Sequence, residues 1–218
     1  MTNQASVQAQ IWKGYARAAT KLGANYQLYR PTSWSGGPWG SQNFLGSSYA
    51  TQIVSLNAED MRYSKPNKYG KATRYALTDG TELCAGDYFM GPQGTFFIAG
   101  FQPLLPILAV ACNRTISISR VPANNAAGAQ GYSGASAATE VAVVEGVPCS
   151  ILQGTKGEKT EVDLPGDVRS PWWVVLLPDC GPILKGDLII DDLGQRYIVS
   201  SPESTDLGWR LTAMMATA

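Results

Sequence analysis

The chain has 218 residues, seventeen Lys/Arg against seventeen Asp/Glu, and no histidine. Only 16% of its residues are charged, against ~25% in an ordinary soluble protein, and Gly, Ala, Ser and Thr make up the difference. The missing histidine removes Ser-His-Asp and Cys-His chemistry and histidine-ligated metals from this chain, while the length suffices for one large or two small cores.

Charge is unevenly placed. Residues 1–75 carry nine bases and two acids, a balance of +7, and the remainder carries eight bases and fifteen acids, −7. This asymmetry suits complementary contacts between subunits or with different neighbours, unless the two regions fold together and cancel. The cysteines, Cys84, Cys112, Cys149 and Cys180, form no C-x-x-C, so zinc or redox chemistry has little support. The expectation is four buried thiols, with one or two disulfides as the alternative. Residues 1–20 lack the apolar core of a signal peptide, and no apolar run reaches membrane-spanning length. Without secretion, the sequon Asn113-Arg114-Thr115 is expected to be idle.

In chain order, the first expected element is a helix over 5–22. Val7, Ile11, Tyr15, Ala18 and Leu22 form one apolar stripe, Gly23 is a candidate C-terminal cap, and Lys21 suits the helix dipole. Gly14 either permits a close backbone approach or is merely tolerated. A lone helix of this length is marginal in water, so it must dock on its own β domain or on a neighbour. Residues 24–50 hold Trp34, Trp39, Phe44 and Tyr49 among Gly, Pro and Ser, and read as an extended, irregular arm. Its aromatics either anchor in a partner's pockets or pack back on the chain's own sheet. Nucleic-acid stacking is the weaker reading, because bases are sparse between Arg30 and Arg62.

A first β unit is expected over 51–121. Its strands run over 71–77, 81–84 (paired across an Asp79-Gly80 hairpin), 87–90, 95–99, 107–111 and 115–120. Residues 122–139, rich in Ala, Gly, Ser and Asn, read as a linker or surface loop and mark the boundary. A second unit over 140–218 has strands from 140, over 171–178, 188–190, 195–200 and 209–215. Val141, Val143 and Val147 share one face of the first of these. The fold class is therefore mainly β: two small barrel- or sandwich-like units with an N-terminal helix and an aromatic arm.

The two units echo each other. At an offset of one hundred residues, Gly86/Gly186, Asp87/Asp187, Gly94/Gly194 and Ile98/Ile198 are identical, and the apolar positions between them keep their character. Two similar hairpins are expected, with Asp87 and Asp187 at equivalent corners. Asp187, Asp191 and Asp192 are a weak candidate for a calcium or magnesium site; solvated turn acids or strand-entry turns account for them better. No phosphate loop or paired-acid constellation is evident. The expectation is no cofactor, no metal and no catalytic residue.

Three blocks, IWKGYARAATKLGANYQLYRP, FIAGFQPLLPILAVACNRT and GDLIIDDLGQRYIVSSPESTDLGWRLTA, resemble structural proteins of tailed bacteriophages. The last is similar to the small β-barrel modules of head–tail connector, tail-completion and baseplate proteins, in the elements Gly186-Asp187, Gly194 and Tyr197-Ile198-Val199. The resemblance implies a non-enzymatic virion subunit, assembled in the host cytoplasm into tail, baseplate or neck. Its partners would be other phage structural proteins and copies of itself in a ring, with no membrane and no direct nucleic-acid contact. The alternatives are a neck protein and a virion-associated carbohydrate-binding module or hydrolase. Candidate partner-binding residues are Ile11, Tyr15, Trp34, Trp39, Phe44 and Tyr49. Removal of residues 1–49 is expected to leave the β units folded.

Overall fold

The computed structural model describes residues 3–31, 45–58, 71–121, 140–154 and 172–216. Trp34, Trp39, Phe44 and the 122–139 segment lie outside the described residues. Among the described residues, one helix, α1 (Gln4–Leu22), precedes twelve strands: β1 (Ala24–Tyr29), β2 (Ser48–Ala58), β3 (Thr73–Leu77), β4 (Tyr88–Gly91), β5 (Gly94–Gly100), β6 (Ile107–Cys112), β7 (Arg114–Arg120), β8 (Val141–Gln153), β9 (Trp172–Leu177), β10 (Leu188–Asp191), β11 (Arg196–Thr205) and β12 (Gly208–Met215).

The strands close into two six-stranded antiparallel barrels, β1-β2-β3-β6-β5-β4 and β7-β8-β9-β12-β11-β10. Strand for strand the order is the same, so the second barrel repeats the topology of the first. Closure pairs every strand on both sides and leaves no open sheet edge. The mainly β expectation with barrel units holds, but the boundaries do not. The first unit begins at β1, inside the stretch read as an irregular arm, because Tyr26 and Leu28 alternate inward between β2 and β4. Strand β7, assigned to the first unit, is the opening strand of the second, paired with β8 and β10. The boundary is therefore Asn113, and the Ala/Gly-rich segment connects two strands of one barrel.

Other local expectations are corrected by pairing partners. No strand forms over 81–84; Asp79 instead accepts from the Thr81 N–H and hydroxyl at 3.0 and 2.5 Å, and β3 pairs with β2 and β6. Strand β8 runs unbroken through Gly146, which takes φ 70° where the register slips. The slip turns Val144 and Val147 inward and leaves Val141 exposed, against the expected face. Strand β11 extends to Thr205, beyond the expected end of the strand at 200.

Two apolar clusters hold the molecule together. The first barrel is filled by Tyr26, Leu28, Phe89, Phe96, Ile98 and their neighbours. The Tyr26 ring lies where a Cβ on Gly91 would sit, 2.5 Å from it. The second cluster fills the other barrel and extends across the junction to Tyr88, Phe97, Ala99 and Val110 on the outside of the first. This explains the uninterrupted apolar run of β5: Phe96 and Ile98 face inward, and Phe97 and Ala99 face the second barrel. A strand buried on both faces loses the polar alternation of a half-exposed one. The Tyr88 hydroxyl donates to the Pro148 carbonyl at 2.9 Å, and Gly100 accommodates Leu207, whose Cδ2 would stand 2.7 Å from a Cβ there.

A single residue, Asn113, joins the barrels. Its side-chain amide imitates a strand residue: Nδ2 donates to the Ile151 carbonyl and Oδ1 accepts from the Ile151 N–H, both at 2.8 Å. That places the sequon asparagine in the framework between the barrels.

Candidate partner-binding surfaces

Helix α1 docks on its own first barrel, against β2 and β3. Asn3 caps its N-terminus. The buried face lies about one position from the expected stripe. Ala19 is fully buried and Leu22 is exposed, while Ile11 and Tyr15 are half-buried. Burial pushes the Tyr15 hydroxyl pKa upward. Trp12 rests on Gly80, its Cε2 only 2.7 Å from where a Cβ would be. Gly23 is an extended residue (φ −102°) rather than a left-handed cap; a Cβ there would strike the Val54 carbonyl at 2.6 Å. Small residues at 19 and 23 thus let the helix end close on β2, which outweighs the larger but misplaced Leu22. Gly14 has open space around it and makes no close approach.

The N-terminal half of α1 and the loop 101–106 enclose a groove of about 420 Å³, lined by Gln8 and Trp12 on one side and Phe101, Pro103 and Leu105 on the other. Leu104 adopts φ 65°, a left-handed conformation that costs a non-glycine residue roughly 1–3 kcal/mol. Gln8 holds it there, its Oε1 accepting from the Leu104 N–H at 2.7 Å. The result is a clamped loop that presents Leu104 and Leu105 to solvent. These leucines and Trp12 were not among the sequence candidates. The signal available was Pro103 and Pro106 bracketing two leucines, an apolar pair that proline keeps out of a strand.

Tyr49 belongs to a different arrangement. Asp87, almost fully buried, receives Arg30 through two parallel bonds, Nε to Oδ1 at 2.8 Å and Nη2 to Oδ2 at 2.7 Å. Its Oδ2 also accepts from the Cys84 N–H at 2.8 Å and the Tyr49 hydroxyl at 3.0 Å. The Arg30 guanidinium lies 4.9 Å from the Tyr49 ring centroid and donates to the Glu82 carbonyl. Burial first, and the Asp87 charge second, raise the Tyr49 pKa. The Tyr49 hydroxyl is therefore engaged within the chain, while the residue as a whole stays exposed.

The second barrel repeats this clasp. Arg120 donates to Asp187 through Nε at 2.7 Å and Nη2 at 2.8 Å, and to the Pro182 carbonyl; Asp187 accepts from the Leu184 N–H at 2.7 Å. Gly86 and Gly186, at φ 89° and 91°, shape the same turn before each aspartate. Asp87 and Asp187 thus occupy equivalent corners. The hairpins themselves differ by one residue: Tyr88 pairs with Phe97, but Leu188 pairs with Ile198. The true counterpart of Ile98 is therefore Val199, not Ile198, and the gapless match fails after the turn. The longer turn is held by Asp191, whose Oδ1 accepts from the Leu193 and Gln195 N–H groups at 3.0 and 2.8 Å. Asp187 thus spends its oxygens on Arg120 and backbone, and Asp191 spends its own on backbone, the Tyr197 hydroxyl and Arg114.

Among the described residues, no group of three or more Cys, Asp or Glu side chains is placed to hold a metal ion. The four thiols are free, but they are not all buried: Cys84 is exposed and Cys112 half-buried. Comparison of the chain with family models, with curated proteins and with solved structures found no match.

Proposed function

We propose that the chain is a structural subunit of a tailed-phage virion, bridging or stabilising tail or baseplate components through protein–protein contacts. The observation that carries this reading is the clamped loop 101–106. It holds two leucines in solvent beside an apolar groove, at a backbone cost, on a closed barrel. Exposed apolar side chains presented from a fixed scaffold are what a protein-binding surface requires. The phage resemblance of the three sequence blocks supplies the kind of assembly.

The test is incorporation. Particles assembled with Leu104→Glu/Leu105→Glu protein are expected to lack the subunit, whereas wild-type protein co-purifies with the particle and antibody labels the tail. The double variant should keep the thermal midpoint of the parent, because both leucines are exposed. Normal incorporation of the variant would overturn the role of this loop, and absence of wild-type protein from particles would overturn the virion reading.

A further inference from the structure

The repeated topology allows the outer faces of the two barrels to be compared residue by residue. On the first barrel, Tyr88, Phe97 and Val110 lie side by side across β4, β5 and β6. They are 0%, 1% and 4% exposed, because the second barrel covers them. The same row on the second barrel is Leu188, Ile198 and Met214, side by side across β10, β11 and β12. Here Leu188 is half-buried, and Ile198 and Met214 are 42% and 45% exposed. The row keeps its apolar chemistry where none of the described residues covers it. Solvated outer positions of a barrel are ordinarily polar.

The internal contact runs head to tail: the β4–β6 face of one barrel sits on the opening-side strand β8 of the next. The strand equivalent to β8 in the first barrel is β2, where Val54 faces Ala24 as Cys149 faces Arg114. Ile53 therefore stands where Pro148 stands, and it is exposed, as is Leu22 at the end of α1, the helix that docks on β2. The bases Lys13, Arg17 and Lys21 on the helix are exposed as well. Split at Asn113, the half bearing α1 holds nine bases and five acids (+4), and the half bearing the open row holds eight bases and twelve acids (−4).

We infer that the Leu188/Ile198/Met214 face docks on the helix side of the first barrel of a second copy of this chain, around Leu22 and Ile53. The contact uses the donating face equivalent to that of the stacking within one molecule, against a receiving surface that here includes the end of α1 on β2. Apolar row against apolar spot gives the adhesion, and the opposite charges of the two halves orient the approach. A heterologous contact of this kind continues into a ring or a row. It specifies the self-contact of the virion reading but is a property of the purified chain, so it stands or falls separately.

Sedimentation of the purified full chain tests it. Wild type should associate beyond its 23.3 kDa monomer with rising concentration. Two variants should each be monomeric: Ile198→Glu/Met214→Glu, which spoils the open face, and Lys13→Glu/Arg17→Glu, which spoils the receiving face. Mixed together they should form a dimer, because each retains the half the other lacks. If the glutamates unfold the barrel, Ile198→Ser/Met214→Ser serves in their place and thermal melting identifies the folded variant. A wild type that stays monomeric throughout would overturn the inference. So would a helix variant that still associates alone, which would mean that the open face meets its own copy.

Discussion

Gly14 stands on the exposed side of α1 with nothing near the position of a Cβ. Glycine inside a helix costs about 1 kcal/mol relative to alanine, and no packing demand offsets it here. Gly14→Ala should therefore raise stability by about that amount in denaturant unfolding; a loss of stability would mean that the site carries a contact. Asn113 is the opposite case. Its amide satisfies both the N–H and the carbonyl of Ile151. Asn113→Ala removes two bonds where water has only partial access, and should cost roughly 1–3 kcal/mol. Asn113→Asp keeps only the acceptor and should fall between the two.

Several tyrosines and thiols are held neutral in the folded chain. Burial raises Tyr88 and Cys149 well above their ordinary values, and puts Cys180 at about 12. Burial first, and Asp191 second, bring Tyr197 to about 12. A raised folded pKa means that the contribution is complete while the unfolded chain is still protonated, and shrinks as the unfolded groups begin to ionise. The thermal midpoint should thus be insensitive to these groups below about pH 8 and fall between about pH 8.5 and 12, as unfolded Cys and then Tyr titrate. Midpoints recorded across that range check it, and a flat profile to the upper end would contradict it.

At the scale of elements, β1 decides what can be cut away. It is hydrogen-bonded to β2 on one side and β4 on the other, and it carries Tyr26 and Leu28 into the core. Removal of residues 1–49 takes away this closing strand, the beginning of β2 and Arg30 with it. The first barrel should then lose its protection from proteolysis, while removal of residues 1–22 alone should leave both barrels closed. Survival of the first barrel in the longer deletion would refute its dependence on β1.

The same strand shows what the sequence carries and what it conceals. Strands flanked by turns, such as β5, β10 and β12, are legible because apolar runs and glycine turns are local signals. The closing strands are not, since barrel closure pairs residues some sixty positions apart and leaves no local trace; ANYQLY was masked by the Gly/Pro-rich stretch after it. Repeated Gly-Asp pairs disclosed the equivalent corners. Their arginine partners stayed hidden: Arg30 and Arg120 are ninety positions apart while the aspartates are one hundred apart, so no single offset brings both into register. Trp12 and the open row escaped notice for a related reason, since exposure is decided by tertiary neighbours and not by residue type.

The molecule as a whole is two copies of one topology, linked through a single residue and a shared apolar junction, and this has a consequence for how the chain folds. Every strand of the first barrel comes from residues 24–112, so that barrel can finish closing during synthesis before the second is complete. Order of emergence matters because like barrels in tandem invite exchange. Strand β7, ending in Arg120, presents the same inward apolar spacing and terminal arginine as β1 followed by Arg30, and each could reach for the other's aspartate. Misassembly between similar neighbours is a characteristic hazard of such chains. Divergence of the interiors guards against it: aromatic Tyr26, Phe89 and Phe96 fill one barrel, and aliphatic Ile116, Ile118 and Ile189 much of the other. A strand that strayed would find the right hydrogen bonds and the wrong volume.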